Sequence, residues 1–274
     1  MQIDAIVSDL DDTLLNPSSK LSPYTVQVLR QAAARGVRVI PASGRAAYSM
    51  RPFVEELGTG LPYIACNGAQ LIGTDHQPFE NHFLSPEQGR ALIRYLRERG
   101  QYMQCYRDAH FYYEQACGAS ERYQRSTGMQ GIAVGDLEAF LDFPTPKILC
   151  VAEPVVVAEL YPAIQAAFPE LGFTISKPYF LEAQPRDINK GTALRTLAAQ
   201  LGLTPERTLV FGDSLNDVEM LRYAVHGVAM GNARDEVKRA VRHVCATNAE
   251  DGVARFVQAH VLDGLPLNEG GDGQ

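Results

Sequence analysis

Hydrophobic and polar positions fall into two textures along the chain. From Ala5 to Leu15 the sequence reads AIVSDLDDTLL, an apolar run that ends in three carboxylates and a threonine. A run this short, rich in β-branched residues and bounded by polar ones, predicts a buried strand. Pro23 to Ala34 then places Val26, Val28, Leu29 and Ala32 on one helical face closed by Gly36, and Val37 to Ile40 supplies a second strand. Strand, helix and strand form a βαβ unit, whose right-handed crossover leaves the two strands parallel. A helix over 46–57 and a third strand over 63–66 extend the pattern, followed by Asn67-Gly68-Ala69 and a hairpin through Gly73 to Asp75.

The texture changes near Phe83. Pro86 to Arg99 reads as an amphipathic helix through Ala91, Leu92, Tyr95 and Leu96, ended by Gly100. Two aromatic-rich segments over 101–106 and 110–114 predict an antiparallel hairpin, and 147–152, 156–168 and 173–176 read as strand, helix and strand. The first texture resumes at Asp187-Ile188-Asn189-Lys190-Gly191. A helix follows with Ala193, Leu194, Leu197, Ala198 and Leu201 on one face, then a strand over 207–211, short elements over 227–230, 235–241 and 244–246, and a helix over 251–261. The expected fold class is therefore α/β, a doubly wound, Rossmann-like parallel-sheet core with an inserted α+β domain. The core takes residues 1–82 and 188–274, the insertion 83–187, and the Gly-rich, acidic tail over 263–274 is expected to be disordered.

Composition narrows the function classes. The 274 residues carry a formal net charge of -7 with no basic run, which argues against a nucleic-acid surface. No stretch approaches the roughly 18 consecutive apolar residues of a membrane helix, and the start MQIDAIV lacks a basic signal-like region, so a cytoplasmic protein is expected. Five widely spaced cysteines form no C-x-x-C pair and the six histidines show no metal-ligand spacing, which leaves neither a disulfide framework nor a thiolate zinc site.

Several strand ends carry chemistry. Asp9 and Asp11, two apart on an extended segment, point to one side at the carboxyl end of the first strand, the edge where open α/β sheets bind ligands. Their repulsion is relieved by a cation or by a raised pKa; a solvated acidic turn is the plainer alternative. Ser43, in Ala42-Ser43-Gly44-Arg45, either holds a phosphate oxygen or only caps the next helix. Lys190, in the first turn of its helix, faces the positive end of the dipole and calls for an anion nearby. Asp213, Asn216 and Asp217 follow a further strand. Acidic residues from two strands, without histidine or thiolate, make an oxygen-only site suited to Mg²⁺. Metal, phosphate cradle and free carboxylate together describe phosphoryl transfer.

The motifs D9-L-D-D-T13, S43-G-R45, N189-K-G191 and G212-D-S-L-N-D217, supported by N67-G-A69 and N248-A-E-D-G-V-A254, resemble in order and spacing those of haloacid-dehalogenase-like phosphatases, specifically the Cof-type branch with a large α/β (type IIB) cap. The resemblance spans the chain up to the tail. It implies that Asp9 is the nucleophile, forming an aspartyl-phosphate, and that Asp11 protonates the leaving oxygen and then deprotonates water, with a pKa raised by burial and by Asp9. Mg²⁺ would be held by Asp9, the Asp11 backbone carbonyl and Asp213, with Asp217 supporting them from behind. Ser43, the amides of Leu10 and Gly44, Lys190 and Asn216 would cradle the phosphoryl group. Thr13 would steady the loop. Arg45 would meet either substrate beyond the phosphate or a core carboxylate. Ser214 departs from the glycine of many relatives.

The cap of this resemblance admits small phosphorylated metabolites, such as sugar phosphates, pyridoxal phosphate or flavin mononucleotide. Arg107, His110, Tyr112, Tyr113, Arg122, Tyr123 and Lys147 are its candidate specificity contacts. Nucleic acid and membrane are not expected partners, and a monomer or small homo-oligomer is. The alternatives are a phosphomutase or phosphotransferase on the same scaffold and a non-catalytic binder of phosphorylated ligands; a signalling receiver domain fits neither the length nor the insertion.

Overall fold

The structure, a computed structural model, describes residues 2–60 and 62–267. The chain opens with β1 (Ala5–Ser8), α1 (Pro23–Ala34), β2 (Arg38–Pro41) and α2 (Ala47–Leu57). Ser22 starts α1 by accepting the Thr25 amide at 3.0 Å, with Pro23 at the first position, where a missing N–H costs nothing. Next come β3 (Tyr63–Ala65), β4 (Gln70–Ile72) and β5 (Pro78–Asn81), an antiparallel trio tied to the main sheet through an Ala42–Ile64 bridge.

The insertion continues with α3 (Pro86–Arg97), β6 (Tyr102–Arg107), β7 (His110–Tyr113), α4 (Gly118–Thr127), β8 (Gln130–Ala133), α5 (Leu137–Phe140), β9 (Ile148–Val151), α6 (Pro154–Ala167), β10 (Leu171–Lys177) and β11 (Phe180–Pro185). A reciprocal Ser85–Gln88 cap opens α3. These six strands form one sheet in the order β10-β11-β9-β6-β7-β8, antiparallel except for β7 against β8. It is the cap sheet, with its own core built around Leu92, Ile93, Met103, Ile148, Leu181 and Ala183.

The chain then returns through α7 (Lys190–Leu201), β12 (Thr208–Gly212), α8 (Val218–Tyr223), β13 (His226–Ala229), α9 (Asp235–Lys238), β14 (His243–Val244) and α10 (Gly252–Val257), which runs on into a wider turn over Gln258–Leu262. The main sheet is parallel, in the order β14-β13-β12-β1-β2. Its central strands are near-continuous runs buried on both faces: every residue of β1 and β12 is buried. Because β1 pairs with β2 on one side and with β12 on the other, the carboxyl ends of β1 and β12 flank the crevice where strand order reverses.

Besides the short helix α8, four elements lie outside the sequence expectation. In α4 only Ser120 and Tyr123 are buried, so it has no apolar stripe; α5 spans four residues, and β8 is a half-exposed edge strand. The fourth, β11, does alternate, with Leu181 and Ala183 in the cap core and Phe180, Glu182 and Gln184 between them. Of the tail expected to be disordered, residues 263–267 are described, with the Leu265 amide on the Ala259 carbonyl at 2.9 Å; residues 268–274 lie outside the described residues.

A tight turn after β3 places Cys66 and Asn67 at φ of 50° and 54° and Gly68 at 100°. A Cβ on Gly68 would come within 2.5 Å of the Asn189 carbonyl oxygen, so both backbone conformation and space demand glycine there. Gly68→Ala is expected to destabilise the protein by about 2 kcal/mol, lowering the thermal midpoint by about 4–8 °C in a calorimetric scan. An unchanged midpoint would mean the turn relaxes freely.

Candidate active site

The expected residues meet at the carboxyl edge of the main sheet. Asp9 follows β1 directly, its amide donating to the Phe211 carbonyl of β12 at 3.1 Å. The chain then breaks regular geometry, with Asp12 at φ 58°, and Asp11 pairs with Arg45. Asp213 follows β12, and Thr13 donates its hydroxyl to Asp213 Oδ1 at 3.0 Å, the steadying role expected of it. Ser43 follows β2. It does not cap α2, whose N-cap is Ala46; its Oγ accepts the Arg45 amide at 3.1 Å instead.

Lys190 sits beneath this group rather than on the cavity wall. Its ammonium, fully buried, bonds Asp9 Oδ1 and Asp217 Oδ1 at 2.6 Å each. The anion demanded by its place in the first turn of α7 is therefore a pair of carboxylates. Asp217 is saturated: Oδ2 accepts the amides of Asp213 and Ser214 at 3.0 Å. Burial alone would lower the Lys190 pKa, but Asp217 and Asp9 outweigh it and hold it above its ordinary value.

A partly open cavity of about 110 Å³ lies between this edge and the cap. The core lines it with Asp9, Asp11, Ser43, Gly44, Arg45, Asp213 and Asn216. From the cap come Tyr123, Ser126, Lys177, Phe180 and the Lys147–Glu182 pair. Leu10 is fully buried and, like Lys190, lies off the wall. Of the seven cap candidates only Tyr123 and Lys147 reach the cavity. Arg107 stacks on Phe143, Tyr112 packs against Phe140, Tyr113 packs against Phe111, His110 bonds Gln130, and Arg122 lines a separate cleft. Aromatic and basic composition does not say which face of a strand a residue takes. The missed lining residues Lys177, Phe180 and Glu182 lie on the β10–β11 hairpin, where the apolar–polar alternation of β11 was the available signal.

With this geometry in view, the family model for haloacid dehalogenase-like hydrolases matches residues 6–257. The chain belongs to the haloacid dehalogenase-like hydrolases. Among its relatives, a 5-amino-6-(5-phospho-D-ribitylamino)uracil phosphatase of Bacillus subtilis (strain 168) is 28% identical over 277 residues, covering 92% of this chain and 96% of its own. A pyridoxal phosphate phosphatase of Escherichia coli (strain K12) is 28% identical over 271 residues, with 94% and 98% covered. The crystal structure of a haloacid dehalogenase-like hydrolase from Bacteroides thetaiotaomicron superposes with a TM-score of 0.85 at 28% identity, over 94% of this chain and 99% of that one.

In this hydrolase Arg45 grips Asp11 with two hydrogen bonds, Nε to Oδ2 at 2.7 Å and Nη2 to Oδ1 at 2.8 Å. The sequence expectation of a raised Asp11 pKa is thereby corrected. Burial does push it up, but the hydrogen bonds and charge of Arg45, with Lys177 and Lys190 behind them, hold it below the ordinary carboxylate value. Of the two partners expected for Arg45, the structure shows the carboxylate.

Asp9 and Asp213 shift the other way. Burial, opposed by Lys190, raises Asp9, and burial with the neighbouring Asp217 charge raises Asp213 to about 7. One oxygen from each of Asp9, Asp213 and Asp217 lies within 4.8 Å of the others. The donor set fits a hard divalent cation: it is all oxygen, and one lysine balances three carboxylates. Asp9 and Asp213 are the side chains free to hold it, since Asp217 is committed to Lys190 and two amides.

A group whose folded pKa lies above its unfolded value is most stable protonated, so its contribution is lost as pH rises from the unfolded pKa toward the folded one. For Asp213 that window runs from about 4 to about 7, and Asp9 acts in the same sense. Metal-free protein is expected to lose thermal stability from pH 5 to pH 8, and Mg²⁺ to raise the midpoint more at pH 8 than at pH 5. Scanning fluorimetry with and without chelator reads this directly, and an equal Mg²⁺ effect at both values would remove these carboxylates as ligands.

Proposed function

We propose that this hydrolase is a Mg²⁺-dependent phosphatase of small phosphorylated metabolites, working through an aspartyl-phosphate on Asp9. Its family and the relatives above make it a hydrolase of phosphoric monoesters; metal, intermediate and substrate class are the proposal. One observation carries it: a carboxylate at the end of β1 is bound by a buried lysine and faces a cavity shared with Ser43 and Gly44. Residues 1–82 and 188–274 are read as the catalytic core and 83–187 as the cap.

In this reading Lys190 engages Asp9 Oδ1, and Oδ2 is assigned the attack on phosphorus. Ser43, the amides of Leu10 and Gly44, and Asn216 receive the phosphoryl oxygens, while Lys190 offsets their charge from below. When bound, Mg²⁺ neutralises charge on the transferring group. It would be held by Asp9, Asp213 and the Asp11 carbonyl. Asp11 is assigned the proton transfers, to the leaving oxygen first, in the protonated form that Arg45 disfavours, and then from water, in the charged form that Arg45 favours. The cap confines the site and excludes bulk water and macromolecules. Sugar phosphates and phosphorylated cofactors are the substrates proposed, one relative being named a pyridoxal phosphate phosphatase and another a 5-amino-6-(5-phospho-D-ribitylamino)uracil phosphatase. Among the described residues no helix is long and apolar enough to cross a membrane, and the cytoplasm is the proposed location, with a monomer or small homo-oligomer as the working form.

The test is phosphate release from a panel of phosphorylated metabolites, with Mg²⁺ and with chelator. Asp9→Asn is expected to release none, because an amide cannot form the acyl-phosphate, while its melting curve stays cooperative through the remaining Lys190–Asp217 pair. Near-parental rates in that variant would remove the nucleophile. Asp213→Asn is expected to raise the Mg²⁺ concentration for half-maximal rate by about tenfold or more, read from a metal titration.

A further inference from the structure

Two charged cap side chains lie against the loops of Gly44 and Asn67, bonded to those loops and to each other. Lys147 and Glu182 are 2% and 3% exposed, with Nζ and Oε2 3.3 Å apart. Lys147 Nζ donates to the Gly44 carbonyl at 2.8 Å. The Gly44–Arg45 peptide carries that carbonyl and also the N–H that donates to Ser43 Oγ at 3.1 Å. One rigid peptide plane thus links the Lys147 ammonium to the Ser43 hydroxyl.

Glu182 reaches the opposite loop. Its Oε1 accepts from Ser176 Oγ at 2.7 Å, and its Oε2 from Asn67 Nδ2 at 2.5 Å. Asn67 Oδ1 in turn accepts from Asn216 Nδ2 at 2.9 Å. Asn67 is held in left-handed backbone beside left-handed Cys66, a conformation that persists only where the surroundings impose it. A Cβ on Gly44 would lie 2.9 Å from Asn67 Oδ1, so the two relays run in contact.

A buried ion pair adds little net stability compared with apolar residues of the same volume, so stability alone does not account for this one. Both side chains also line the cavity, and their bonds to Gly44, Asn67, Ser176 and each other give them a role in the loops besides any contact with substrate.

We propose that Lys147 and Glu182 are positioning residues of the phosphate cradle, Lys147 setting Ser43 through the Gly44–Arg45 peptide and Glu182 setting Asn216 through Asn67. The inference rests on the phosphatase reading and adds that the cap completes the anion site as well as covering it. The cradle is then fully formed only with the cap seated as here.

The test compares the parent, Glu182→Gln and the double variant Lys147→Met/Glu182→Leu, which leaves no unpaired buried charge. Each is assayed on p-nitrophenyl phosphate, a hexose phosphate and pyridoxal phosphate, and titrated calorimetrically with inorganic phosphate. Both variants are expected to fall in kcat/KM by a common factor on all three substrates, about 100-fold for the double variant. Inorganic phosphate is expected to bind about tenfold more weakly. A loss confined to one substrate would make the pair a leaving-group contact and overturn the inference; so would parental rates and phosphate affinity in either folded variant. Glu182→Gln preserves shape and serves if the double variant fails to fold. If the parent turns over nothing in the panel, the phosphatase reading fails, and phosphate affinity still decides the positioning claim.

Discussion

The constraint on which the rest depends is the concentration of negative charge at the carboxyl ends of β1 and β12. Asp9 and Asp217 are buried beside Asp213, and desolvation of three neighbouring carboxylates is tolerated only with a counter-charge in contact. Lys190 supplies it at 2.6 Å to two of them. The helix carrying that lysine is anchored by its Asn189 cap, which bonds Thr192 at 2.9 Å, and by the close approach of Gly68 to the Asn189 backbone. Helix start, turn and sheet edge are therefore parts of one electrostatic arrangement. The charge still uncompensated on Asp9 and Asp213 is what suits the edge to a divalent cation.

Arg45 and Asp11 belong to the same balance from the other side. A bidentate guanidinium lets Asp11 keep its charge close to other carboxylates, and the same arginine touches the cap through the Ser126 carbonyl at 3.5 Å. Ser49 adds a bond to the Thr127 carbonyl at 2.8 Å, and Ser214 one to the Ser176 carbonyl at 3.1 Å. Core and cap thus meet through polar bonds placed around the cavity and through an apolar cluster in which Ala46, Cys66 and Ala69 of the core pack with Tyr106, Phe111, Tyr123 and Met129 of the cap. Such a joint holds one geometry when its polar partners are satisfied and its apolar cluster is packed.

Much of the site was readable before any coordinates. The acidic residues stand directly after short apolar runs, and a strand's end is set by its own sequence, so Asp9, Ser43 and Asp213 could be placed on one edge from strand order alone. The helix starting at Lys190 was equally clear from its apolar stripe and its Gly202 stop. The cap was harder. Its lining comes from one face of β10 and β11, and tyrosine serves equally in a cap core, as Tyr112 does, and on the cavity, as Tyr123 does. Glu182 carries no signal of its own in the sequence, and its partner Lys147 stands 35 residues earlier in the chain.

By itself, the sequence determined the alternation of strands and helices, the insertion of one unit into another, the family, and the chemistry of the strand ends, because these depend on local periodicity and on residue types at short spacing. Only the tertiary structure decided that Arg45 takes Asp11, that Lys190 stands under the cavity, that Asp217 is committed to Lys190 and two amides, and that a lysine and a glutamate of the cap hold the phosphate loops. Most of those outcomes are contacts of a charged group with a partner far away in sequence. Electrostatic partners are chosen by distance and burial in the folded molecule, and neither is written in the spacing of residues along the chain.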